Sequence, residues 1–288
     1  MFDPSTQAQL KQAIADCIAN DQHILQELRS EIRPLKQETK RILPRATTSI
    51  SLVGTDGGNN QLQFDPFLVQ LIRVVDSSNN EYCLEAISPT TPIEVLGRWH
   101  FDQKGEPTSA LGEMMISLGA DTLPKLSHMI RPKEKGVPVS PSWVQVYREL
   151  FEWAILFSIL KKDFGTDILI VCDGLLRSKV FAGDKFSRLL EEIKRRVDQQ
   201  WARNKRRIYI AGVAKHSKVL ARYRLAMALE HVLRTNYPAF VEVPREVEEK
   251  AYVWSEFARG EDRETEGGEI NKFVGGEDVL GQVWCTST

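Results

Sequence analysis

The sequence predicts an α/β protein built on a mixed sheet, with three antiparallel strands followed by alternating helices and strands. Two short β-rich runs each end in Asp-Gly, at Asp56-Gly57 and at Asp173-Gly174. An apolar run closed by glycine is typical of a buried strand that stops there. Helical patterns separate the later β-rich runs, which indicates α/β alternation. We therefore expect a mixed sheet with flanking helices and an N-terminal helical extension.

A long amphipathic helix is predicted at the start of the chain. After Pro4-Ser5, apolar residues recur at steps of three and four, the spacing of one helical face. We expect this helix to pack on the domain or on a second subunit, and we favour the domain. The apolar residues are Leu10, Ile14, Cys17, Ile18, Ile24, Leu25, Leu28 and Ile32.

A β-hairpin follows the first strand, which we expect to end at Gly57-Gly58. Residues 67–75 and 81–87 are rich in β-forming side chains, and the polar run Asp-Ser-Ser-Asn-Asn separates them. Two such runs around a short polar turn predict a hairpin. Residues 88–108 predict a loop region, and residues 109–118 a short helix.

Helix and strand alternate in the second half of the chain. Ser140-Pro141 fits a helix cap with proline in the first turn. The predicted elements are an apolar helix over 143–161, a strand over 168–173, a charged helix over 184–203, a strand over 208–214 and a helix from 216 to about 233. We therefore divide the chain into an N-terminal helical extension (1–44), an α/β domain (45–235) and an acidic, partly disordered tail (236–288).

The charge of the chain is unevenly distributed, although its net value is only −1. From Arg177 to Arg224 there are fifteen Lys and Arg against four Asp and Glu. From Glu242 to Asp278 there are twelve acidic residues against five basic ones. A basic block of this kind predicts a phosphate-facing surface. The alternative interpretation is an ordinary solvated helix face.

Cysteine spacing and hydropathy predict a cytoplasmic protein. The four cysteines lack the spacing of a zinc site or a disulfide framework, so we expect reduced thiols. The longest apolar run, residues 150–160, contains Glu152 and is too short to span a bilayer. The N-terminus lacks the pattern of a signal peptide.

Carboxylates at the ends of two strands predict a metal site. Asp56 and Asp173 share one end of the sheet if their strands are parallel neighbours. Carboxylate oxygens are the ligands that Mn²⁺ and Mg²⁺ prefer. A third ligand is expected from the helix before Asp173, where Glu152 lies in an apolar stretch and Glu149 one turn earlier. We prefer Glu152. For either glutamate, the structural alternative is a salt bridge to Arg148 or to a lysine of the basic block.

A lysine follows the strand predicted over 208–214. Lys215 lies at a predicted helix start, and a helix N-terminus together with a lysine suits a phosphate group. The alternative is a lysine at the edge of a loop. His216 is a candidate general acid or base, although a histidine beside a lysine is more often simply exposed.

These motifs together resemble the NurA nuclease family over roughly residues 45–235. The most specific part is the order and spacing of the two Asp-Gly strands and the Gly-Val-x-Lys strand. The matching segments are Val53-Gly54-Thr55-Asp56-Gly57-Gly58, a glutamate-bearing helix, Ile170-Val171-Cys172-Asp173-Gly174-Leu175-Leu176 and Ala211-Gly212-Val213-Ala214-Lys215.

The resemblance implies an RNase H-like fold and a Mn²⁺-dependent DNA nuclease, with Mg²⁺ as the alternative ion. It implies 5′–3′ exonuclease and single-strand endonuclease activity on single strands and duplex ends. It further implies a homodimer that works with a hexameric HerA-type ATPase in DNA end resection, repair or phage defence. By position, Asp56, Asp173 and Glu152 match the family's metal ligands, and Lys215 matches its lysine.

The C-terminal part departs from the family pattern. The family has a further segment whose histidine or aspartate completes the site, whereas the last histidine here is His231. We expect a chain that is either truncated or divergent at its end. Two alternatives follow: a catalytically impaired adaptor subunit, or an actin-like or sugar-kinase-type ATP-binding domain, whose first phosphate motif resembles Val-Gly-Thr-Asp-Gly-Gly.

Overall fold

The structure is a computed structural model. It describes residues 4–43, 50–64, 67–76, 81–88, 90–131, 142–163, 165–214, 217–257 and 284–286. These fall into two compact units, one formed by the described residues between 50 and 214 and the other by residues 4–43, 217–257 and 284–286. We refer to them as the large and the small unit.

The large unit contains five strands and five helices among its described residues. In chain order they are β2 Ile50–Phe64, β3 Phe67–Asp76, β4 Glu81–Ile87, α2 Ile93–Arg98, α3 Ala110–Ser117, α4 Leu123–Leu126, α5 Ser142–Ile159, β5 Asp167–Asp173, α6 Lys185–Asn204 and β6 Ile208–Val213. The strands form one sheet in the order β4-β3-β2-β5-β6. The first three pair antiparallel, and β2-β5 and β5-β6 pair parallel. The predicted mixed α/β sheet is therefore confirmed.

The core of the large unit lies between α5 and one face of this sheet. Helix α5 contacts β2, β3 and β4, and α3 packs on α5. Its buried residues include Tyr147, Phe151 and Ile155 at four-residue steps, as an apolar helix face requires. Alternation along β5 places Ile168 and Ile170 in the same core. Helix α5 is thereby held against β2, and β5 adds side chains to the same core.

The first strand runs further than its glycines suggest. We expected it to stop at Gly57-Gly58, but β2 continues to Phe64. Gly57 and Gly58 lie opposite Val74 and Arg73 of β3 in an antiparallel ladder. Glycine weakens a strand only modestly, and the ladder with β3 outweighs that weak local preference.

The small unit is built from both ends of the chain. In order it contains α1 Pro4–Ile32, a 3-10 turn Arg33–Lys36, β1 Lys40–Arg41, α7 Lys218–Leu229, β7 Ala239–Glu242, α8 Arg245–Phe257 and β8 Trp284–Thr286. Strands β1, β7 and β8 form an antiparallel sheet in the order β1-β7-β8. Ile32, Tyr223 and Val241 are buried together in its core.

Helix α1 follows the prediction in part. Its C-terminal turns pack in the small unit, where Tyr223 donates a hydrogen bond of 2.8 Å to Glu31 and Arg29 pairs with Glu230 at 2.6 Å. Its first half exposes a stripe formed by Leu10, Ile14 and Ile18.

Several predicted boundaries differ from the structure. The tail predicted over 236–288 contains β7 and α8, whereas its residues 258–283 lie outside the described residues. Helix α7, predicted inside the 45–235 domain, clusters with the small unit. The loop region predicted over 88–108 contains α2. Helix α2 and strand β7 are short and α8 is strongly charged, so tertiary packing decided these three elements rather than periodicity.

Cys17, Cys83 and Cys172 are not joined in disulfide bonds. Among the described residues, no helix combines the length and apolar character needed to cross a lipid bilayer.

Candidate functional site

The two Asp-Gly strands are parallel neighbours, as predicted. The ladder between β2 and β5 runs from Ile50 opposite Asp167 to Thr55 opposite Cys172. Asp56 and Asp173 are the next residues on the two strands, so both lie at the same end of this parallel ladder. The Asp173 side chain is exposed, whereas the side chain of Asp56 lies outside the described residues. That these residues bind metal stays a prediction.

A cleft of about 260 Å³ opens at this end of the sheet. One wall is a face of α5, and the other is the end of β5 with the segment that follows it. The cleft contains three carboxylates and two guanidinium groups. Its lining residues are Arg148, Glu149, Glu152, Trp153, Leu156, Cys172, Asp173, Gly174, Leu175, Leu176 and Arg177.

Helical spacing brings both glutamates of α5 into the cleft. Glu149 and Glu152 are three residues apart, so they are neighbours on one face of the helix. The opposite face carries Tyr147 and Phe151 into the core. The two glutamates between which the sequence left a choice therefore line the same cleft as Asp173.

Glu149 is embedded in the wall of the cleft. Ser178, itself buried, donates a hydrogen bond to the Glu149 carboxylate. Burial raises the pKa of Glu149 above its usual range, against the opposing effects of the Ser178 hydroxyl, the Arg148 charge and the Trp153 indole. Desolvation thus outweighs its hydrogen bonds. A cation near this carboxyl would favour its ionised form.

Glu152 is engaged by a neighbouring cation. The Nε atom of Arg148 lies 3.3 Å from a Glu152 carboxylate oxygen, one helical turn away. The same Nε is buried and lacks hydrogen-bond geometry to any acceptor, so the contact is an ion pair without a directed hydrogen bond. The salt bridge that we weighed as the structural alternative for Glu152 is therefore present.

Two glycines shape the backbone beside Asp173. Gly174 has a φ of 116°, a conformation that residues with a Cβ rarely adopt. Its N–H donates to the Val213 carbonyl of β6 at 2.9 Å. A Cβ on Gly212 would lie 2.4 Å from the Gly174 carbonyl oxygen. Close packing of β6 on this turn therefore fixes where the chain leaves β5.

Sequence reasoning located part of this site and missed part. Lys215 and His216 lie outside the described residues, so their predicted roles stay predictions. Arg177 and Ser178 were not singled out as site residues, although they directly follow the Asp-Gly-Leu-Leu motif, which was the available signal. Among the described side chains, no group of three or more His, Cys, Asp or Glu is close enough to hold a metal ion.

Comparisons with known proteins give weak likenesses. No protein-family model matches the chain, and no curated protein matches it. Three solved structures of NurA are similar to it: one bound to dAMP and manganese (11% identity, TM-score 0.27), one with manganese (13%, 0.27) and one described only as NurA (12%, 0.28). The alignments cover 96–100% of this chain and 59–60% of those chains. The chain thus spans about three fifths of the length of these structures, and such TM-scores do not establish a common fold.

Proposed function

We propose that this chain is a divalent-metal-dependent DNA nuclease of the NurA type with an RNase H-like sheet. The observation that carries the proposal is the register of β2 on β5, in which Asp56 and Asp173 follow the last parallel pair. The strand order β4-β3-β2-β5-β6 supports the RNase H-like interpretation, because three antiparallel strands precede the helix–strand alternation.

The donor atoms around the cleft suit a hard divalent cation. We propose Asp56, Asp173 and Glu152 as the ligands of Mn²⁺ or Mg²⁺, with Glu149 as the alternative third carboxylate, because these ions prefer carboxylate oxygens. When bound, a pair of such ions supplies a nucleophilic water and charge stabilisation for phosphodiester hydrolysis.

The other residues of the cleft suit a phosphate chain. Arg148 and Arg177 line it, and guanidinium groups recognise phosphate oxygens with a matching fork of donors. We assign them the binding and orientation of the backbone of the substrate. Ser178 and Trp153 hold Glu149 in place. Lys215 is proposed as a further phosphate-binding residue.

The finer properties implied by the resemblance are part of the proposal. They comprise 5′–3′ exonuclease and single-strand endonuclease activity, action on single strands and duplex ends, and a homodimer that works with a HerA-type hexameric ATPase. The proposed setting is DNA end resection, repair or phage defence in the cytoplasm.

One alternative is favoured by a specific contact. The Arg148–Glu152 ion pair occupies a proposed metal ligand, which favours a catalytically impaired adaptor subunit of such a complex. The ATP-binding alternative is less favoured. Gly57 and Gly58 are paired in the β2-β3 ladder, so they do not form the open loop of backbone N–H groups that cradles a phosphate.

The deciding experiment is degradation of linear DNA with Mn²⁺, with and without a candidate HerA-type ATPase. Asp173→Asn removes the charge of an exposed proposed ligand, so we expect cleavage to fall by about a hundredfold or more without loss of fold. Asp56→Asn should behave alike.

Asp184→Asn is the matched control. Asp184 is exposed at the N-terminus of α6 and outside the cleft, and asparagine caps a helix as well as aspartate does. If Asp173→Asn cleaves linear DNA at the wild-type rate, the nuclease proposal is ruled out. Absence of cleavage in the wild type under all these conditions, with the ATPase still bound, would favour the adaptor.

A further inference from the structure

A second feature of the large unit lies at the C-terminal end of α6, away from the cleft. Trp201 is 45% exposed there, although tryptophan is a large aromatic residue that usually contributes to a core or an interface. Lys205 and Arg207 lie over its ring, with Nζ at 5.6 Å and Cζ at 5.3 Å from the ring centroid. We call Trp201, Lys205, Arg207 and Tyr209 the Trp201 patch.

The patch combines exposed aromatic rings with cations. Tyr209, at the start of β6, is 43% exposed. The Arg207 guanidinium is hydrogen-bonded to the Tyr209 hydroxyl, which raises the pKa of Arg207. Arg207 therefore connects the two rings and remains charged at all pH values of interest.

The charge around the patch is mainly positive. Arg203 and Arg206 are exposed in the same stretch of chain as Lys205 and Arg207. Asp198 lies one helical turn before Trp201 on α6, and Asp163 and Asp167 are each hydrogen-bonded to a residue near the patch. Asp163 accepts a hydrogen bond from Asn204 at 3.3 Å, and Asp167 accepts one from the Arg207 backbone N–H at 3.0 Å.

Further backbone and side-chain hydrogen bonds hold the Trp201 patch in a fixed conformation. Gln200 donates to the Lys162 carbonyl at 3.1 Å, and Lys205 ends α6 in the left-handed conformation with φ 52°. The Lys205 N–H returns to the Trp201 carbonyl at 3.0 Å. An aromatic surface that is held in advance loses little conformational entropy when a ligand stacks on it.

We propose that the Trp201 patch binds single-stranded DNA, with a base stacked on the Trp201 indole and phosphates neutralised by Lys205 and Arg207. Exposed aromatic rings beside cations are how proteins bind single strands without reading sequence. A purely structural role accounts for the cations over the ring but not for two exposed aromatic rings in a basic stretch.

The patch deepens the proposed nuclease function and rests on it for the choice of DNA. Tyr209 is near the N-terminal end of β6, whereas Val213, beside Gly174 of the cleft turn, is at the other end. The four residue steps from Tyr209 to Val213 span about 13 Å. The patch is therefore an anchoring site distinct from the proposed centre of hydrolysis.

The test measures binding of a fluorescent oligothymidylate of about twelve nucleotides by anisotropy, in EDTA so that cleavage plays no part. We expect Trp201→Ala to weaken binding by about 5- to 150-fold, the range for loss of one stacked base. Trp201→Phe keeps a ring and should restore most of the affinity. Lys205→Asn removes a charge and tolerates a positive φ, so it should lower the slope of log affinity against log salt by about 0.7.

Trp99→Ala is the matched control, because Trp99 is 52% exposed at the end of α2 and lies outside the patch. If Trp201→Ala and Trp99→Ala are both folded and bind the oligonucleotide equally tightly, the proposal is overturned. The outcome is separable from the nuclease test. If binding depends on Trp201 but the protein does not cleave DNA with Mn²⁺, the patch is supported and the nuclease proposal fails. If the protein cleaves DNA but binding does not depend on Trp201, the nuclease proposal is supported and the patch fails.

Discussion

The hydroxyl of Ser178 donates a hydrogen bond to the carboxylate of Glu149, across the cleft between the segment after β5 and helix α5. The contact joins two residues far apart in the chain, one on each wall of the proposed active site. It holds in place a carboxyl whose pKa is raised by burial. The stability of the fold and the chemistry of the site are therefore coupled at this pair.

Ser178→Ala should lower the free energy of unfolding by about 1–3 kcal/mol at neutral pH, because it leaves a buried carboxylate with one donor fewer. The loss should shrink below pH 4.5, where Glu149 is protonated and its burial costs less. Urea denaturation at both pH values measures this. Ser117→Ala, at an exposed position at the end of α3, is the control and should change stability by less than about 0.5 kcal/mol.

Glu149→Gln and Glu152→Gln should separate the two candidate ligands. If Glu152 is the third ligand, Glu152→Gln should lower Mn²⁺-dependent cleavage by about a hundredfold or more, while Glu149→Gln changes it far less. Glutamine keeps the size of either side chain, so both variants should stay folded. Cleavage rates over a Mn²⁺ titration measure the effect, and the reverse order of the two variants would assign the role to Glu149.

Gly212→Ala should disturb the turn beside Asp173. Its Cβ would lie 2.4 Å from the Gly174 carbonyl, and relief of such an overlap costs about 1–3 kcal/mol. We expect a lower melting temperature and lower nuclease activity together. Gly165→Ala is the control, because no described heavy atom lies within 4 Å of its Cβ position. Equal stability of the two variants would contradict the close packing of β6 on this turn.

A buried chain of hydrogen bonds should make stability depend on pH. Tyr147 donates to Glu85 at 2.8 Å, so the His100 Nε2–H, 2.8 Å away, must donate to the Tyr147 oxygen. The Ser109 hydroxyl, 3.0 Å from Nδ1, then donates to that nitrogen. Burial lowers the pKa of His100 from 6.5 to about 4, which favours this neutral form.

Because the pKa of His100 is lower in the folded state, its contribution to stability is complete above about pH 6.5 and is lost as the pH falls towards 4. The loss should reach at most about 3 kcal/mol. Urea denaturation between these pH values should show a smaller pH slope for His100→Gln than for the wild type. The control is His23→Gln, at an exposed position on α1, which should keep the wild-type pH slope. If His100→Gln also keeps the wild-type slope, His100 does not contribute to the pH dependence of stability.

Local pattern predicted most elements of the large unit. The helix predicted over 143–161 is α5, and the strand predicted over 168–173 is β5. Helix α6, strand β6 and the hairpin β3-β4 also agree with their predicted ranges to within a few residues. Each of these elements has a strong apolar periodicity or a clear turn sequence. Apolar periodicity indicates which side of a helix or strand is buried.

The sequence by itself determined the Asp-Gly strands, the glutamates of α5 and the basic stretch around α6, because apolar period and charge are local properties of the chain. Only the tertiary structure decided that β2 passes through Gly57-Gly58 and that Ser178 reaches Glu149. It also decided that β7 and α8 form in the predicted tail. The physical reason is that strand register and side-chain contact depend on residues that are distant in sequence, whose pairing energy outweighs the weak preference of any single residue.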